Sequence, residues 1–109
     1  MKINEIKSIR VTAKEWFDKA NGNSYFSAKV TIDGPLGYSK TLTVPFQYGY
    51  GTQYEVESFR AIQEYLGFET THCAPLWRFC EENGIELQTS KHSDLKKWCV
   101  AYGKELETA

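Results

Sequence analysis

The sequence predicts an α+β domain: an N-terminal antiparallel sheet of three strands, or four if a late segment joins it, packed against about three helices. Apolar residues recur with a period of two between residues 9 and 46, and with a period near 3.6 after residue 52. Both regimes lie in one chain of 109 residues, with no repeat, low-complexity tract or linker, so residues 1–109 form a single domain with one core. A run of strands followed by a run of helices gives layered α+β architecture.

Ile9, Val11 and Ala13 alternate with Arg10, Thr12 and Lys14, which describes a first strand with one buried face. Asn21-Gly22 tolerates the positive φ values of a hairpin turn, and Trp16 and Phe17 fall near its tip. In the second strand Phe26, Ala28, Val30 and Ile32 share one face, while Tyr25, Ser27, Lys29 and Thr31 share the other. Asp33-Gly34-Pro35-Leu36-Gly37 turns the chain into a third strand carrying Leu42, Val44 and Phe46. Pro45 has no N–H for a ladder, so the end of this strand belongs at an edge.

Val56, Phe59, Ile62 and Leu66 then mark the apolar stripe of a helix that Gly67 can end in a left-handed conformation. Pro75 suits the first position of a second helix, which buries Leu76, Phe79 and Cys80 and stops at Asn83-Gly84. Ile85 and Leu87, alternating with Glu86 and Gln88, permit a short fourth strand. Ser93 as N-cap and Asp94 in the first turn open a final helix whose apolar side is Leu95, Trp98, Cys99, Tyr102 and Leu106.

Aliphatic, aromatic and cysteine residues make up 41% of the chain and charged residues 25%, which separates it from the disordered class. Aromatic residues reach 15%, more than a core of this size readily hides, so some rings are expected near the surface, where Tyr and Trp serve interfaces. A net charge of −1 argues against a generally basic nucleic-acid binder. The charge is uneven: residues 1–50 carry seven Lys or Arg against four Asp or Glu, and residues 51–109 carry six against ten. The basic half suits phosphate and the acidic half a basic partner, while a mixed, solvated surface explains the same numbers. An odd set of three cysteines, with no leader segment and no apolar run long enough for a membrane, leads us to expect a cytoplasmic protein without disulfides and with no membrane partner.

Two regions are candidates for binding. Pro45-Phe46-Gln47-Tyr48-Gly49-Tyr50-Gly51-Thr52-Gln53-Tyr54 joins sheet to helix while alternating rings with glycines, so Tyr48, Tyr50 and Tyr54 can anchor a protein or stack on bases. The alternative is a tight turn whose tyrosines cap the edge of the core. The segment matches no phosphate-binding glycine pattern. Arg10, Lys14 and Lys29 project from the polar faces of adjacent strands on the same side as Tyr25, a combination suited to a nucleic-acid backbone and equally to an ordinary solvated sheet face.

No cofactor, metal or catalytic centre is expected. His72, Cys73, Cys80, His92 and Cys99 are ligand types for zinc, but they contain no Cys-x-x-Cys or close His pair. Cys73 or Cys99 as a nucleophile lacks any recognisable motif, and Glu55/Glu57 and Glu81/Glu82 read as solvated helix surface.

Trp16-Phe17, Gly22-Asn23-Ser24-Tyr25 and Pro45-Phe46-Gln47-Tyr48-Gly49-Tyr50-Gly51 resemble small uncharacterised proteins encoded by bacteriophages and prophages, over roughly the first 55–65 residues. The resemblance implies a mobile-element setting in a bacterial host and carries no catalytic residues. It points to a non-enzymatic accessory factor that binds a host protein or nucleoprotein complex, including inhibitors of defence systems such as anti-CRISPR proteins. The alternative is a small nucleic-acid-binding protein using the basic, aromatic sheet face.

Overall fold

β1 (Ser8–Asp18) and β2 (Asn23–Asp33) are eleven residues each, and burial alternates over residues 8–13 of the first and 28–33 of the second. The structure, a computed structural model, describes residues 2–68 and 75–104. The hydrophobic pattern sets the register of this hairpin: Ile9 lies opposite Ile32, Val11 opposite Val30 and Ala13 opposite Ala28, all at most 1% exposed. Residues 19–22 make the turn, where Gly22 takes φ +69° and the Asp18 carboxylate accepts the Ala20 N–H (3.1 Å) and the Asn21 side-chain amide (2.8 Å).

β3 (Ser39–Tyr48) pairs antiparallel with β2 and lies at an edge, as Pro45 requires. Its register slips between Phe26 opposite Gln47 and Ala28 opposite Val44, so Pro45 and Phe46 bulge out across from Ser27. The chain then forms α1 (Gln53–Leu66), ended by Gly67 at φ +72°, and α2 (Leu76–Glu82), which follows Pro75.

β4 (Glu86–Ser93) takes the other edge, giving the order β3-β2-β1-β4, and runs parallel to β1. The expectation of a wholly antiparallel sheet is therefore corrected to a four-stranded mixed one. The physical reason is the connection: α1 and α2 carry the chain back across the sheet, and such a crossover returns it in the direction it left β3.

Phe59, Ile62, Leu76, Phe79 and Cys80 close one face of the sheet against Ile9, Val11, Phe26 and Val30. α3 (Lys96–Tyr102) lies on the opposite face, where the buried Ser27 hydroxyl donates to the Cys99 carbonyl at 2.6 Å. The sheet is thus the middle of three layers.

Three details differ from the sequence pattern. On α1, Tyr54, Ser58, Phe59 and Ile62 are buried and Val56 is exposed; Ser58 tolerates burial because its hydroxyl donates to the Tyr54 carbonyl at 2.6 Å. Ser93 ends β4 instead of capping α3, because its ladder with β1 continues to Glu15. Leu95 and Trp98 are exposed, while Cys99, Tyr102 and Gly103 of α3 meet the sheet, and Leu106 lies outside the described residues. Among the described residues no helix is long and apolar enough to cross a membrane.

Candidate functional site

The face of the sheet opposite α1 and α2 gathers most of the residues singled out in the sequence. Alternation points Arg10, Thr12, Lys14 and Trp16 of β1 to this side, and the register sets Thr31, Lys29, Ser27 and Tyr25 of β2 beside them. Arg10, Lys14, Tyr25 and Lys29 therefore do share one face. β4 adds Gln88, Ser90 and His92 by its register with β1.

Toward the hairpin end this face becomes aromatic. Tyr25 is its centre: Phe46 stacks on it at 5.4 Å between centroids, Trp16 is tilted at 5.7 Å, and Tyr48 meets it edge-on at 5.8 Å. The bulge at Pro45 and Phe46 makes this possible, since it returns both Phe46 and Tyr48 to the side of Tyr25. Tyr48 remains 59% exposed and Tyr50, in the loop that follows, 72%.

Tyr54 behaves differently: it is only 8% exposed, within the core, with the Lys91 ammonium 5.7 Å from its ring. Its ring has no free face for a ligand, so the three-tyrosine site reduces to Tyr48 and Tyr50. The glycines between them have internal reasons. A Cβ on Gly49 would stand 2.6 Å from the Phe26 ring, and Gly51 takes φ +63°.

The cations of this face are largely engaged. Lys14 donates to Asp94 at 3.0 Å, a bond that holds its ammonium above the ordinary lysine value and keeps the Asp94 carboxyl below the usual carboxylate range. Arg10 pairs with Asp33 at 3.3 Å. Burial pushes the Asp33 carboxyl up, but hydrogen bonds from Ser8 and Ser39 and the charge of Arg10 outweigh it and leave the group below its ordinary value.

The Lys14 and Lys29 ammonium groups stand 5.0 and 4.5 Å from the Tyr102 ring centroid, and that of Lys96 stands 5.1 Å from Trp16. An open groove of about 540 Å³ runs along α3 between Lys14, Trp98, Ala101, Tyr102 and Lys104. Lys96 belongs to the lysines of the last helix that the sequence lets add to this surface, whereas Trp16, Phe46 and Trp98 are not among the site residues expected from sequence. Trp16 shares the parity of Arg10 and Lys14 and was legible; Lys96 and Trp98 depend on how α3 lands.

Cys80 and Cys99 are free thiols sealed in the fold. Burial pushes Cys80 up to about 11 and raises Cys99 as well, which disfavours the thiolate needed of a nucleophile or a metal ligand. No group of three or more His, Cys, Asp or Glu side chains placed for a metal occurs among the described residues, and His72 and Cys73 lie outside them. No protein-family model matches the chain, and neither a curated protein nor a solved structure shows significant similarity to it.

Proposed function

We propose that this chain is a non-enzymatic accessory protein of a bacteriophage or prophage, which binds a host protein or nucleoprotein complex through the aromatic end of its polar sheet face. Inhibition of a bacterial defence system such as CRISPR is the role we assign to it. The observation that carries the reading is the cluster of Trp16, Tyr25, Phe46 and Tyr48, contiguous in space and open at Tyr48. Preordered aromatic rings at the surface lose little entropy on docking and supply large contact area, the usual makeup of binding hot spots. The resemblance to phage-encoded proteins through the Trp16-Phe17 and Tyr48-Gly49-Tyr50 segments supports the setting.

A nucleic-acid ligand is the second reading, favoured by Lys14, Lys29 and Lys96 standing over aromatic rings. It ranks second because phosphates would compete with Asp33 and Asp94 for Arg10 and Lys14. Affinity capture from bacterial lysate, with and without nuclease, tests both. A protein partner retained after nuclease and lost with Tyr48→Ala/Tyr50→Ala supports the first reading, with binding weakened at least about tenfold, roughly 1.4 kcal/mol. Capture of no partner counts against it, and binding to bare oligonucleotide that falls steeply with salt favours the second.

A further inference from the structure

The two outer edges of the sheet are built differently. β3 carries Pro45 and a bulge, both of which spoil the addition of another strand. β4 carries neither across its eight residues, and its register with β1 is unbroken from Glu86 opposite Ser8 to Ser93 opposite Glu15. Bonds at its two ends show which backbone groups point inward. The Glu86 N–H donates to Lys7 (3.1 Å) and the Asp94 N–H donates to Glu15 (2.9 Å). Direction alternates along a strand, so Leu87, Thr89, Lys91 and Ser93 turn their N–H and C=O groups away from β1. Among the described residues no strand pairs with that edge.

We propose that β4 pairs with β4 of a second copy of this chain, antiparallel and centred on Thr89, so that one sheet runs through a two-fold dimer. Antiparallel pairing must set outward-directed residues opposite one another. Centring on Thr89 does so and exchanges about six backbone hydrogen bonds, two at each of the facing positions Leu87–Lys91, Thr89–Thr89 and Lys91–Leu87.

The side chains select this register. Thr89 meets its own copy, a favourable cross-strand pair, and Glu86 faces His92 of the second copy. Moving the axis to Ser90 trades the Glu86–His92 pairs for Glu86 opposite Asp94, which lies beyond β4 and is already held by Lys14, and moving it to Gln88 shortens the overlap. Lys91 faces Leu87 without bringing an unpaired charge, because its ammonium is already held by Glu15 (3.0 Å) and the Gly51 carbonyl (3.0 Å). The ring cluster of Trp16, Tyr25, Phe46 and Tyr48 is carried by β1, β2 and β3 and supplies none of the residues paired in this contact.

Sedimentation velocity of the full chain, from low micromolar to several hundred micromolar, tests the dimer. Thr89→Pro removes an outward N–H at the axis and leaves the β1 ladder intact, as proline at an edge position allows. The expected result is a dimer for the parent and a monomer with unchanged circular dichroism for Thr89→Pro. A parent that stays monomeric throughout overturns the proposal, and so does a Thr89→Pro variant that dimerises equally well. If Thr89→Pro fails to fold, a charge exchange replaces it. His92→Glu sets carboxylates opposite each other twice per dimer and weakens it about tenfold. Adding Glu86→Lys restores it, and a double variant as weak as the single one refutes the register.

Discussion

Replacing Gly103 by alanine drives a carbon atom into β3. At φ −78° and ψ −7° the backbone there suits any L residue, so strain does not explain the glycine. On propensity alone the substitution would stabilise the end of α3 by about 0.5–1 kcal/mol. Packing opposes this, because the added Cβ would lie 2.7 Å from the Phe46 nitrogen, 3.0 Å from the Ser27 Cβ and 3.1 Å from the Pro45 Cα. Two of these are backbone atoms of the bulge and cannot rotate aside.

Reaching an ordinary contact of 3.4 Å requires α3 to back away by roughly 0.7 Å. That retreat pulls on the 2.6 Å bond from Ser27 to the Cys99 carbonyl, one of the few ties holding the helix down. Overpacking costs about 1–3 kcal/mol, and leaving the buried Ser27 hydroxyl without its acceptor adds a penalty of about the same size. The two together exceed the propensity gain, so Gly103→Ala is expected to destabilise the protein by about 1–5 kcal/mol net.

Urea denaturation followed by circular dichroism measures the total. Alkylation of Cys99, quantified by mass spectrometry, reports on α3 itself. Gly84→Ala serves as the comparison: its φ of +65° makes the backbone strained, but nothing lies within 4 Å of the new carbon. It should lose about 1–2 kcal/mol with Cys99 still protected. A Gly103→Ala protein as stable as the parent, with Cys99 equally slow to react, would refute the claim that α3 is pressed against the bulge.

Acid should weaken the fold at defined carboxylates. Asp33 and Asp94 sit below their ordinary 3.8 in the folded chain, so their contribution is present above that value and is lost as pH falls through the lower folded values. The urea midpoint should drop below about pH 4, and Asp33→Asn should flatten that drop. The buried thiols should be inert: with Cys80 raised to about 11 and Cys99 also raised, iodoacetamide at pH 8 should leave both unmodified in the native protein and label both in urea. Rapid native labelling of either would contradict their burial.

The hairpin was legible because period-two burial leaves little choice. With Ile9, Val11 and Ala13 facing in, Arg10, Lys14 and Trp16 must face out, and a slip of one residue would bury a charge. Pro45 announced an edge for the same local reason. The helices were legible as elements but less so as faces. Ser58 lies outside the apolar stripe yet is buried with its hydroxyl bonded to the Tyr54 carbonyl, and Val56, expected in the stripe, is exposed while Tyr54 is buried. Composition also identified an excess of rings, without saying which would stay uncovered.

What the sequence determined by itself is therefore local: strand faces, turns, helix ends and the parity that puts Arg10, Lys14, Tyr25 and Lys29 on one side. The tertiary structure decided the direction of β4, the layer that α3 occupies, and the fate of the tyrosines, leaving Tyr48 and Tyr50 open while Tyr54 joins the core. Those outcomes depend on contacts between residues far apart in the chain, such as Ser27 with Cys99 and Lys14 with Asp94. Periodicity along a segment records which side is apolar, and it holds no information about which distant surface will cover that side.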